Sequence, residues 1–164
     1  MSDPHRLMVR MAEQAVSRNA ADVLVSLGLG SCIGLALLDT DAQVAGLSHI
    51  VLPESSSRPG GVPAKFADTA VPALLDAVVK LGANRARLKA VLCGGAHMFG
   101  NGSGTSSLLQ IGERNATRTL EELRQRRIPV RSQDTGGSSG RSIEVRIATG
   151  EVLVRSVGQA PRKL

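Results

Sequence analysis

An α+β domain, mainly antiparallel sheet with two helices packed on it, is what this sequence predicts. Three observations carry the prediction. Short strand-like apolar stretches recur along the chain and outnumber helical patterns by seven or eight to two. Helices do not alternate with every strand, which argues against a doubly wound parallel sheet. The chain is 42% hydrophobic yet has two Phe, no Trp and no Tyr, so its core must be built from Val, Leu, Ile and Ala.

The elements follow in order. Residues 1–5 read as a loose tail. Leu7, Val9 and Met11 alternate with other positions as a first strand. Asp22 to Ser26 is a short buried strand that runs into the Gly28-Leu29-Gly30 turn. Ile33 to Leu38 and Gln43 to Val51 form the next two strands, joined through Asp39-Thr40-Asp41-Ala42. Residues 53–63, rich in Pro, Gly and Ser, read as a flap over a site.

Asp68 is the expected N-cap of a first helix, with Pro72 in its first turn. Val71, Leu74, Leu75, Val78 and Leu81 fall at helical spacing, and Gly82 ends it. Leu88 to Cys93 is an apolar strand, followed by a second glycine-rich loop, Gly94 to Gly104, expected to shape a pocket wall or a partner surface. The second helix spans about Glu113 to Arg127, with Ala116, Leu120 and Leu123 on its apolar side. Ile128-Pro129-Val130 leads to a loop at Gln133–Gly137. Ile143, Val145 and Ile147, then Val152 and Val154, alternate around Thr149-Gly150 as a hairpin. Residues 156–164 read as a second loose tail. A chain of 164 residues fits one domain over 1–164, long enough to bury roughly 70% of its unfolded surface.

The formal charge is +6, with Arg concentrated at 114, 118, 124, 126, 127 and 131. Glu113, Glu121 and Glu122 share that segment, so it reads as a solvated helix face rather than a nucleic-acid footprint. The lack of aromatics also argues against single-strand binding by stacking. Two cysteines make no disulfide framework, and no run approaches the roughly 18 apolar residues of a membrane span. With no apolar signal segment at the start, a soluble cytoplasmic protein with reduced thiols is expected.

The chemistry centres on a cysteine after a glycine-rich turn, Gly28-Leu29-Gly30-Ser31-Cys32, and on His49 seventeen residues later. A thiol becomes a nucleophile when a neighbouring base draws off its proton. If residues 33–51 close at Thr40-Asp41, opposed residues have numbers summing to 81, and Cys32 faces His49 with Cβ atoms about 4.5–5.5 Å apart. Glycine-turn amides can then serve an oxyanion. The opposing reading makes Cys32 a small buried hydrophobe and His49 a core histidine satisfied by a carbonyl. A Cys93/His97 metal pair lacks further ligands beyond Cys32 and His49, and His5 reads as terminal and inert. The glycine loops lack the phosphate-loop and dinucleotide patterns.

Six runs, in order, resemble the CheD family of chemoreceptor glutamine deamidases. They are Leu27–Cys32, His49 with Leu52-Pro53, Lys65–Ala70, Gly94–Phe99, Ile111–Asn115 and Asp134–Gly137. The resemblance implies a cytosolic layered α/β sandwich that needs no cofactor and converts glutamine side chains of methyl-accepting chemotaxis receptors to glutamate. It puts the catalytic cysteine and histidine on Cys32 and His49. A third active-site position, commonly threonine, falls on Ser26, which keeps the hydroxyl but loses the methyl that stiffens χ1. Phe66 stands where tyrosine is common. The implied partners are the cytoplasmic part of the receptors and a CheC-type phosphatase. The rival readings are a non-catalytic chemotaxis adaptor binding that phosphatase or a receptor, and a cysteine peptidase or amidase with another substrate.

Overall fold

The computed structural model describes residues 3–56, 61–98 and 110–164. Within them, two five-stranded sheets stack face to face and two helices cover the outer face of the second sheet. The first sheet has the order β1 (His5–Met8), β3 (Asp22–Leu29), β8 (Arg141–Arg146), β9 (Val152–Ser156), β10 (Arg162–Lys163). The second runs β2 (Gln14–Ser17), β5 (Val44–Ile50), β4 (Ile33–Asp39), β6 (Lys89–Gly94), β7 (Val130–Thr135). Pairs are antiparallel except β1–β3 and β6–β7. This is the α+β layered arrangement that the sequence predicts.

Every residue of β4 and β5 is buried, because both faces of these central strands are covered. One face of the second sheet (Ile33, Leu35, Leu37, Leu92) meets α1 (Ala67–Lys80) and α2 (Ile111–Gln125). The other (Ala36, Leu38, Ala45, Leu47, Val91) meets Leu24, Ile143, Val145 and Val152 of the first sheet. Full burial of each such side chain stabilises by about 1.5–3 kcal/mol, so aliphatic residues alone sustain both core layers.

Val71, Leu74, Leu75 and Val78 bury one stripe of α1, as their spacing predicts, and Gly82 follows its end at φ 120°. Asp68 is not its N-cap. Phe66 holds that position without a side-chain bond, and the Asp68 carboxylate instead accepts from the amide and hydroxyl of Ser55, both at 2.9 Å. Pro72 consequently lies inside the helix rather than in its first turn.

Several expectations need correction. The tail expected at 1–5 gives way to β1 at His5, whose Nδ1 lies 3.0 Å from Asp22 Oδ1, so His5 is an anchor rather than an inert terminus. The tail expected at 156–164 carries β10, tied down by Arg162–Asp134 at 2.6 Å and Lys163–Glu151 at 2.9 Å. Strands β2 and β7 were absent from the sequence reading. β7 replaces the start of the expected 133–137 loop, and its polar sequence is tolerated at a sheet edge. Of the expected flap, residues 57–60 lie outside the described residues, as do residues 99–104 of the second glycine loop.

The arginine-rich segment is a helix face only in part: Arg114, Arg118 and Arg124 lie on α2, Arg126 and Arg127 follow its end, and Arg131 belongs to β7. Arg118 and Arg126 both pair with Glu122, and Arg131 donates to the carbonyls of Gly150 and Leu164.

Candidate functional site

The site forms where the chain passes from one sheet to the other. β3 ends at Leu29 and β4 begins at Ile33, so Gly30, Ser31 and Cys32 make the crossing. Just before it, pairing with β8 shifts between Ser26 and Leu29, leaving an extra residue on β3. Gly28, at φ 65°, accommodates this bulge. The bulge keeps Ser26 and Leu29 both buried between the sheets while Leu27 is 56% exposed.

The hairpin register differs from the expected one. Gly34 pairs with His49 and Leu38 with Ala45, so opposed numbers sum to 83 rather than 81. A two-residue turn would demand left-handed backbone at Thr40 and Asp41. The chain uses a longer connection in which, of residues 40–43, only Gln43 has positive φ, at 52°. Asp39 organises it. Its carboxylate accepts from the amides of Ala42 and Asn84 and takes a two-pronged bond from Arg87, at 3.0 Å for both contacts. Burial works against the charge on Asp39, but these bonds hold its carboxyl below the ordinary value.

A two-residue shift preserves the face and changes the neighbour. Cys32 therefore stays on the inter-sheet face with His49 but lies one pleat beyond it, diagonal rather than directly opposed. His49 Nε2 has no hydrogen-bond partner among the described residues, so the structure holds no thiol–imidazole bond. Hydrogen bonds of this kind are often long in unliganded enzymes and tighten with substrate.

His49 is 3% exposed and held by segment 9–13, which links β1 to β2. Its backbone amide donates to the Glu13 carbonyl and its carbonyl accepts from the Ala12 amide, both at 3.0 Å. Its Nδ1 lies 3.3 Å from the Val9 carbonyl oxygen. A carbonyl only accepts, so Nδ1 carries the proton and Nε2 presents a lone pair. Burial pushes the imidazole below its ordinary pKa, opposed in part by the Val9 carbonyl and the Glu13 charge. At neutral pH the ring is thus an uncharged base with its basic nitrogen free.

Ser26 does not touch His49. Its hydroxyl donates to the same Val9 carbonyl at 2.7 Å, from a fully buried position. The Val9 oxygen is thus shared by the two side chains. Chain position gives no sign of this link, because Val9 reads only as an apolar strand residue.

Cys32 is 8% exposed, and burial pushes its thiol above the ordinary value. Its backbone is held closely. The carbonyls of Gly30, Ser31 and Cys32 accept from Ala96 N at 2.8 Å, Asn115 Nδ2 at 2.9 Å and Gly95 N at 2.9 Å. A Cβ on Gly94 would stand 2.1 Å from the Cys32 oxygen, so only glycine permits this approach. By contrast, the amides of Gly30, Ser31 and Cys32 donate to no acceptor among the described residues. Three unspent donors beside a thiol, with an uncharged base on the same face, suit attack on a carbonyl carbon and stabilisation of the resulting oxyanion.

Cys93 does not share this setting. It is fully buried in β6, and burial chiefly pushes its thiol up to about 12. His97 is exposed and engaged only through its backbone amide, which donates to Gly137 O.

Comparison with known proteins gives a consistent result. The family model described as CheD chemotactic sensory transduction matches residues 51–156. A probable chemoreceptor glutamine deamidase CheD of Moorella thermoacetica is 43% identical over 157 residues, covering 95% of this chain and 93% of that protein. The protein of the same description from Desulfitobacterium hafniense is 41% identical over 156 residues, with 95% and 96% covered. That of Clostridium botulinum is 40% identical over 163 residues, covering 99% of each. The last match takes in the N-terminal third, which holds Ser26, Cys32 and His49.

Proposed function

This chain belongs to the CheD family, and on that premise we propose that it deamidates glutamine side chains of chemoreceptors through a cysteine thioester. The observation that carries the chemistry is the His49 imidazole, protonated at Nδ1 by its bond to Val9 O and free at Nε2 on the face it shares with Cys32.

A rotation of the Cys32 side chain brings Sγ to Nε2, which takes the thiol proton. The sulfur then bonds to the carboxamide carbon, and the carbonyl electron pair moves to oxygen, where the amides of the Gly30–Cys32 segment receive it. The C–N bond breaks as the imidazolium returns its proton to nitrogen, and ammonia leaves. Water, deprotonated by Nε2, attacks the thioester carbon. The C–S bond breaks, glutamate is released, and the imidazolium returns its proton to sulfur, restoring the thiol. Because burial disfavours both thiolate and imidazolium, the resting pair is neutral, and the proton passes to His49 as the sulfur attacks. Ser26 holds the Val9 carbonyl that fixes the imidazole tautomer.

Leu27, Met11 and Met98 are exposed apolar residues near these elements. Leu27 follows Ser26 in the chain, Met11 precedes the residue bonded to His49 O, and Met98 lies against Gly30. They suit contact with an apolar substrate surface around the target glutamine. Cytoplasmic residence follows from this substrate. A CheC-type phosphatase as partner rests on the family resemblance alone.

The test is mass spectrometry of a receptor fragment incubated with the protein. Glutamine-to-glutamate conversion at intact length, lost in Cys32→Ala, is expected. Backbone cleavage would instead favour the peptidase reading, and binding without any mass change the adaptor.

A further inference from the structure

Asn115 lies on α2, fully buried, in a helix whose surface is otherwise rich in charge. Its Nδ2 donates to two backbone carbonyls, Ser31 O and Val51 O, both at 2.9 Å. Two carbonyl acceptors require the amide nitrogen there, so the orientation of the side chain is chemically determined, and both of its hydrogens are used. Oδ1 is buried without a partner among the described residues. A buried unsatisfied carbonyl oxygen costs free energy, so packing alone does not account for an asparagine at this position.

The two carbonyls flank the site. Val51 follows the last residue of β5, two beyond His49. Ser31 C=O belongs to the same planar peptide unit as the Cys32 N–H. In a trans peptide the C=O and N–H point in opposite directions. A donor that fixes Ser31 O on the α2 side therefore aims the Cys32 N–H away from the helix. The same bond polarises the peptide and makes that N–H a stronger donor. The Cys32 N–H is one of the amides without an acceptor among the described residues.

We infer that Asn115 is a positioning residue for the oxyanion: it orients and polarises the Cys32 amide, and through Val51 O it ties the strand bearing His49 to the same frame. The inference rests on the proposed deamidation, because an oxyanion develops only during acyl transfer.

The experiment separates acyl transfer from thiol reactivity. Asn115→Asp keeps the shape and removes both donors, while Asn115→Ala removes the whole carboxamide. Deamidation of a receptor fragment is measured for kcat and KM, and alkylation of Cys32 by iodoacetamide is followed by peptide mapping. Alkylation is a displacement at an sp³ carbon and forms no tetrahedral oxyanion. Expected is a fall in kcat of about 10–1000-fold in both variants, with KM and the Cys32 alkylation rate within about threefold of the parent, by analogy with loss of one oxyanion donor. An unchanged kcat would overturn the inference. So would a parallel fall in alkylation and kcat, or failure of both variants to fold at the assay temperature, either of which assigns Asn115 to the framework. A parent protein that alkylates at Cys32 yet never deamidates would instead sink the proposed function.

Discussion

Cys32 and Cys93 occupy the same inter-sheet layer in very different backbone settings. Gly34, near the start of β4, pairs with His49 on one side and with Cys93 on the other, so His49 and Cys93 flank the same residue. Burial raises the pKa of both thiols, and it pushes the Cys93 thiol far up, to about 12. The backbone differs as well. Cys93 sits within a strand, between two partner strands. Cys32 sits at a crossing, where the carbonyls are captured and the amides are left free. In the proposed reaction, the donors left without a partner among the described residues and the uncharged base on the same face set Cys32 apart from Cys93.

The sharpest way to break this comparison is to delete each thiol. Cys32→Ala should cut deamidation by about 10⁴-fold or more. Cys93→Ala should leave it within about threefold and lower stability by about 1 kcal/mol, read from denaturant melts. Loss of activity in Cys93→Ala would erase the distinction.

The next largest effect should follow Gly94→Ala. The added methyl would meet Cys32 O at 2.1 Å on a backbone at φ 113°, so about 3 kcal/mol of destabilisation or more is expected. Gly28→Ala has open space and only φ 65° against it, so a cost of about 1 kcal/mol should suffice. Similar melts for the two variants would show that the Gly94–Cys32 approach is not required.

pH sharpens the comparison at the base. The folded pKa of His49 lies below its unfolded value of about 6.5, so its contribution to stability is fully present above that pH. It is lost as pH falls through the folded value, where the buried ring must finally charge. Deamidation should show an acid limb over the same range as Nε2 becomes protonated. Melting temperatures at pH 7.5 and 5 should diverge less in His49→Gln than in the parent. An equal divergence would place the titrating group elsewhere.

The smallest effect is expected at Ser26. Ser26→Ala removes one of the two donors on Val9 O, and a roughly 10-fold loss of kcat is expected, with about 1 kcal/mol of stability. Ser26→Thr should restore or exceed the parent rate by stiffening χ1. No change in kcat for Ser26→Ala would detach this hydroxyl from the imidazole.

Much of the fold was legible because burial on both faces leaves its mark. β4 and β5 read as continuous apolar runs, and α1 shows its stripe at helical spacing. β7 was illegible because a polar edge strand looks like a loop, and β10 because two residues form no pattern. The hairpin register was missed because the connection depends on Arg87 and Asn84, 48 and 45 residues from Asp39. Asn115 did leave a signal: Gly112, Asn115 and Thr119 continue, at helical spacing, the buried stripe that ends at Leu123. Small and polar residues in a core-facing stripe mark a place where a helix meets backbone rather than side chains.

By itself, the sequence determined the layered class and the aliphatic core, and it singled out the thiol and the base on which the proposed chemistry rests. Local periodicity and residue chemistry carry that information within a few positions of where it is used. Tertiary structure alone decided that His49 faces Gly34, that the Val9 carbonyl joins it to Ser26, and that Asn115 grips the peptide before Cys32. Each of those depends on a backbone group brought in from a distant segment, and a backbone carbonyl is the same at every position of the chain.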